Sequence, residues 1–175
     1  QGSTMGRFLV VLLAIIGLAA ATGGASAVEW QRYENPAFGY AIDLPLGLFT
    51  GSSNGDKGLT LVENDGRGQI DVYGAINVQG MSPRAFEREL SRADRIRDIT
   101  YARRGASWFV ISGYYRREND ESDDLIFYAK FMFSRDGRLL AAFEASYPRA
   151  DKRRFDAIIE RMEDSLTRPD DTAEP

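Results

Sequence analysis

The stretch from Ser107 to Tyr147 constrains the fold more than any other part of the chain. It reads as three consecutive antiparallel strands, at Ser107–Arg117, Leu125–Ser134 and Arg138–Tyr147. Leu125, Phe127, Ala129, Phe131 and Phe133 alternate with more polar neighbours, and so do Leu139, Ala141, Phe143, Ala145 and Tyr147. Successive strand side chains point to opposite faces, so a period of two assigns each set to one face of a sheet. Asp136-Gly137 supplies the turn between those arms. The reverse faces carry Tyr128, Lys130, Met132, Arg138 and Glu144, which predicts a sheet buried on one side and at least partly wet on the other. The first strand is apolar on both sides, with Trp108 and Val110 alternating with Phe109 and Ile111. That pattern requires a central position or a covered second face.

The remaining segments are predicted to cover this meander. Glu29–Tyr33 reads as a short strand with Trp30 inward, followed by a turn at Asn35-Pro36, because the residue before proline is biased away from helix. Phe38, Tyr40, Ile42 and Leu44 alternate along a second strand, which Pro45 ends. Residues 46–58 contain four glycines and two serines and are expected to form a long exposed loop. Leu59–Glu63 and Gln69–Val78 then make a hairpin, with Ile70, Val72, Ile76 and Val78 on one face. Gly74 among them marks a bulge or a close approach.

Ser82-Pro83 is a helix start, a hydroxyl cap followed by proline at the first helical position. Phe86, Leu90 and Ala93 recur at helical spacing, and Ile96–Arg104 returns to a strand pattern. After the meander, Phe155, Ile158, Ile159, Met162 and Leu166 form the stripe of a second amphipathic helix, expected on the meander's apolar face. Covering those five side chains is worth about 8–12 kcal/mol before entropy is subtracted. The predicted class is α+β, a single antiparallel sheet of about six to seven strands covered by two helices. Residues 28–167 form one domain, and the acidic, proline-containing stretch 168–175 is expected to be disordered.

Residues 1–4 precede Met5 and are set aside from fold reasoning. Residues 5–27 have the form of a secretory signal: Arg7, an apolar run from Phe8 to Leu18, and Ala25-Ser26-Ala27 as a cleavage site. An uncleaved anchor over residues 8–27 is the competing reading, but Thr22-Gly23-Gly24 and Ser26 dilute its second half. Export to the periplasm or outside the cell is therefore expected.

Composition narrows the chemistry. The chain has no histidine and no cysteine. A Ser-His-Asp triad, thiol catalysis and iron–sulfur ligation are thereby excluded, and the usual general base near neutral pH is missing. A net charge of −4 gives no reason to expect nucleic acid. Carboxylate chemistry is what stays open, with Asp43, Glu63, Asp65, Asp71 and Glu144 in or beside strands. Gly66-Arg67-Gly68 joins two strands and does not open a helix, so it is no phosphate cradle. The acidic loop Glu118–Asp124 lacks the central glycine and distal glutamate of an EF-hand and reads as a solvated connection. No cofactor or metal is expected. Arg84, Arg88 and Arg92 recur every four residues on the first helix, and Arg116 and Arg117 flank the acidic loop. These five are the candidate partner-binding residues. Pairing of the helical three with Glu87, Glu89 and Asp94 is the bland alternative.

Tyr33, Asn35, Phe38-Gly39-Tyr40, Ile42-Asp43 and Pro45, together with the glycine-rich loop and the closing strand–Tyr147-Pro148–helix unit, resemble the PsbP-like fold, as found in a group of exported bacterial proteins. The resemblance covers most of residues 29–167 and is structural, not catalytic. It implies an α/β/α sandwich. Relatives of that fold include extrinsic subunits of photosystem II and a nuclear-transport factor that binds the Ran GTPase, and both act by docking on larger partners. The implied role is a non-catalytic binding or assembly domain with a protein partner in the cell envelope. A carboxylate-dependent hydrolase, or a small-ligand binder with a pocket between the sheet and residues 46–58, is the alternative.

Overall fold

The computed structural model describes residues 28–93, 97–115 and 125–175. The expectations for residues 1–27, Arg116, Arg117 and the loop Glu118–Asp124 lie outside the described residues. The elements are β1 (Gln31–Asn35), β2 (Tyr40–Leu44), β3 (Phe49–Ser53), β4 (Gly58–Glu63), β5 (Gln69–Ile76), α1 (Pro83–Ala93), β6 (Arg97–Arg104), β7 (Trp108–Tyr115), β8 (Leu125–Phe133), β9 (Leu139–Pro148) and α2 (Lys152–Ser165). Seven strands form one sheet in the order β3-β4-β5-β9-β8-β7-β6, with every neighbouring pair antiparallel. Among the described residues β1 and β2 pair only with each other, as a separate two-stranded ribbon. This is the α+β architecture predicted, with the ribbon as an addition.

The topology follows from α1. The chain leaves β5, crosses one sheet face through α1, and begins β6 at the far edge. It then meanders back through β7 and β8 until β9 pairs with β5. Ser82 caps α1, its Oγ accepting the Ala85 N–H at 3.3 Å.

Two cores result, one on each face. Under α2 and the ribbon lie Ile42, Leu61, Ile70, Val72, Phe143, Tyr147 and the helix stripe. Under α1 lie Phe109, Ile111, Phe127, Phe131, Phe133 and Leu140, with Phe86 against them. The alternation in β8 and β9 is real, but the two apolar sets face opposite ways. Directly opposed residues of an antiparallel pair share a face, and the register sets Phe131 against Ala142 and Phe133 against Leu140. The β8 phenylalanines therefore meet α1, whereas Ala141, Phe143 and Tyr147 meet α2. The reverse faces, expected to be at least partly wet, are half-covered: Tyr128, Met132 and Glu144 are half-buried, Lys130 is buried and Arg138 is exposed. Lys130, only 8% exposed, donates from Nζ to the Glu163 carbonyl at 2.8 Å, and Trp108 lies beside it. Tyr128 donates its hydroxyl to Glu163 Oε2 at 2.7 Å.

Residues 46–58 are not a plain exposed loop. Phe49 is buried against Phe155, and Phe49–Ser53 adds an edge strand to β4. Its other residues are exposed, which is why composition hides it. Ile76 and Val78 run past the covered part of β5 and are exposed instead of sharing its buried face. Gly74 marks a close approach, since a Cβ there would lie 2.2 Å from Cγ of Phe38.

The tail also departs from expectation. Thr167 exchanges hydrogen bonds with Ala41, and the Asp170 N–H reaches the Gly39 carbonyl at 3.0 Å. Asp171 Oδ1 accepts the backbone N–H of Arg135 at 2.7 Å, and Arg138 donates to the Asp171 carbonyl at 2.6 Å. These bonds hold an acidic segment against the ribbon and the β8–β9 turn, where composition alone favours disorder.

Within that turn, Asp136 accepts the Arg138 N–H, the Ser134 hydroxyl and the Arg138 guanidinium. These donors, the backbone N–H first, hold its carboxyl down at about 2, from an ordinary 3.8. A lowered folded pKa gives stability that is complete above the unfolded value and is lost as pH falls through the folded one. The Asp136 carboxyl is thus expected to titrate by NMR with a midpoint of about 2. The acid-side loss of stability between about pH 4 and 2 should shrink in Asp136→Asn. A midpoint near the ordinary value would contradict this bonding.

Candidate functional site

The clearest candidate is the outer side of α1. Its inner side is fixed by apolar and polar anchors. The Phe86 ring lies 5.7–6.2 Å from the rings of Phe109, Phe131 and Phe133. Glu87 is buried beside it, with Oε1 accepting from the Arg104 guanidinium at 2.8 Å. With those positions turned inward, helical geometry turns Arg84, Arg88 and Arg92 outward together. All three are exposed, and none has an ion-pair partner among the described residues. Glu87, one of the acids that pairing on the helix surface would have used, is committed to Arg104. The structure thus brings Arg84, Arg88 and Arg92 onto one open strip.

An apolar groove runs along the flank of the same helix. It is a cavity of about 340 Å³ lined by Ile76, Val78, Met81, Phe86 and Leu90, with Glu89 beside them. Ile76 is 54% exposed and Val78 87%. Sequence reading missed it by placing Ile76 and Val78 on a buried strand face. A usable signal was present: Met81 just before the Ser82 cap, with Phe86 four positions into the helix, is the spacing of a hydrophobic staple.

The five carboxylates do not assemble into one reactive centre. Asp43 is bracketed by Arg32 at 3.1 Å and Arg161 at 3.3 Å. Glu63 is buried and paired with Arg154, and Asp65 holds Arg67 at 2.8 Å. Asp71 and Glu144 are brought together, as directly opposed residues of β5 and β9. Their oxygens are all occupied. Asp71 accepts from Thr60 at 2.5 Å and Gln69 at 2.8 Å. Glu144 accepts from the Tyr73 hydroxyl at 2.5 Å and from Arg97 at 3.0 Å. Burial, and then the Glu144 charge, push the Tyr73 phenol well above the usual tyrosine range, so it remains a donor. Among the described residues, no group of three or more acidic side chains is placed to hold a metal ion. No helix among them is long and apolar enough to cross a membrane.

No family model matches the sequence, and no curated protein matches it. Solved structures do. The solution structure of cyanobacterial PsbP from Synechocystis sp. PCC 6803 matches with a TM-score of 0.54 at 16% identity, covering 86% of this chain and 99% of that one. The crystal structure of the Saccharomyces cerevisiae Ran-binding protein Mog1p matches with a TM-score of 0.56 at 9% identity, covering 81% of this chain and 96% of that one. At such identities the likeness shows the fold: this is a PsbP/Mog1-like α+β domain.

Proposed function

We propose that this chain is an exported, non-catalytic docking domain that engages an acidic protein surface in the cell envelope through the outer side of α1. The observation that carries the reading is the arginine strip itself. Arg84, Arg88 and Arg92 are exposed and lack ion-pair partners among the described residues, on a helix whose other side is locked by Phe86 and Glu87. An exposed apolar groove on the flank of the same helix, with Glu89 as its one charged lining residue, adds apolar anchors of the kind found at interface centres. The fold supports the reading by analogy, since Mog1p is a Ran-binding protein. The chemistry of the strip specifies the partner: a surface offering several carboxylates. Export rests on the leader pattern of residues 5–27.

A carboxylate hydrolase is the weaker reading. Asp71 and Glu144 are neighbours, but protein donors already occupy the oxygens that a general base or nucleophile must offer.

The test is combined charge reversal, Arg84→Glu with Arg88→Glu and Arg92→Glu, in the full chain. Binding to the envelope partner is expected to weaken about 100-fold, and wild-type binding to fall with added salt. Stability should change little, because exposed substitutions typically move it by under about 0.5 kcal/mol each. Undiminished binding by the reversed chain would reject the strip as the docking face.

A further inference from the structure

The opposite face of the sheet carries a second feature that docking through α1 leaves unused. α2 packs over β2 and β9, and beyond its first turn the outer strands meet a cleft. Two cross-strand rows form its floor. Tyr101 of β6 lies opposite Ser112 of β7, which lies opposite Tyr128 of β8. Tyr114 lies opposite Ile126, which lies opposite Tyr147 of β9. The rows enclose a cavity of about 250 Å³, with Lys152 and Asp156 of α2 at its rim.

Four of the chain's eight tyrosines converge here. Tyr128 is satisfied by Glu163, but the hydroxyls of Tyr101, Tyr114 and Tyr147 make no hydrogen bond among the described residues. Burial, and then the nearby Asp156 carboxylate, raise the Tyr147 phenol, which keeps its proton available for donation. Tyr101 is 49% exposed and offers a ring face at the mouth. Lys152 Nζ lies 2.7 and 2.9 Å from the two Asp156 oxygens, so this pair offers a donor and acceptors without net charge of its own, and the Arg149 guanidinium lies 5.8 Å over the Tyr114 ring.

We propose that this cleft binds a neutral polyhydroxylated ligand, a saccharide, with its C–H face on Tyr101 and its hydroxyls on the unpaired phenols and the Lys152–Asp156 pair. An aromatic face takes up the apolar side of a sugar ring, and phenols hydrogen-bond in either direction. The ion pair adds a donor and an acceptor without favouring an ion. The volume suits about one ring of a longer ligand. The site lies on the sheet face away from α1 and stands independently of the arginine strip.

The experiment is an NMR titration of the full isotope-labelled chain with trisaccharides of glucose and of N-acetylglucosamine, and separately with arginine methyl ester. One trisaccharide is expected to give saturable shifts at Tyr101, Ser112, Tyr114 and the first turn of α2, with an affinity on the order of 1 mM. Tyr101→Ala and Asp156→Asn should each weaken it about tenfold while leaving the melting temperature unchanged. Three results would overturn the proposal: no saturable shift with either sugar, cleft binding by the arginine ester alone, or sugar binding that both variants leave intact.

Discussion

Phe155→Ala should lower the unfolding free energy by about 3–5 kcal/mol. The ring is fully buried and stacks on Tyr147, with centroids 4.3 Å apart and planes within 3°. Phe49 meets it edge-on at 6.1 Å, and the Arg154 guanidinium lies 5.1 Å over it. Gly68 has no side chain because the ring takes its place: a Cβ there would sit 2.5 Å from Phe155 Cζ. One ring thus joins α2 to β9, to edge strand β3 and to the β4–β5 hairpin. Truncation leaves a cavity walled by strands fixed in their ladders, which cannot close around it. Urea denaturation measures the loss as a lower midpoint at unchanged slope. A change under about 1 kcal/mol would mean that α2 is not seated as described.

The second large effect is expected at Gly74. A methyl group there falls 2.2 Å from Phe38 Cγ and 2.6 Å from its Cβ, so Gly74→Ala must displace a ring that is 4% exposed. The loss should reach about 2–3 kcal/mol, the upper range for overpacking. Because one contact underlies both, Gly74→Ala and Phe38→Ala should not add. Their combination should cost about 1–2 kcal/mol less than the sum of the single changes. Additive losses would show that the β1–β2 ribbon does not rest on β5 at this point.

These positions also show what the sequence could reveal. The α2 stripe was legible because Phe155 to Leu166 repeats at helical spacing, and those residues are buried together. The β8 and β9 alternations were equally legible, but their relative facing was not. It depends on the register set by the Ser134–Leu139 connection, where a shift of one residue turns a whole strand over. Edge strand β3 was hidden because only Phe49 is buried in it. The tail was hidden because backbone N–H groups of the β8–β9 turn hold it, and no composition rule reads such contacts. At the candidate site the arginine spacing was plain, since period and helix agree. The groove beside it depended on where the β5 cover ends, and the tyrosine rows on pairing across four strands. Local pattern is written residue by residue, whereas juxtaposition is decided by register.

The central claim is that recognition belongs to the outer side of α1. A photoreactive residue placed at Arg88 in living cells tests it directly, with the same residue at the exposed Glu160 of α2 as the control. The account predicts crosslinking from position 88 to one larger partner rich in carboxylates, lost when Arg84 and Arg92 are reversed in charge, and no crosslink to it from position 160. Equal capture from both positions, or capture from 160 alone, would contradict it.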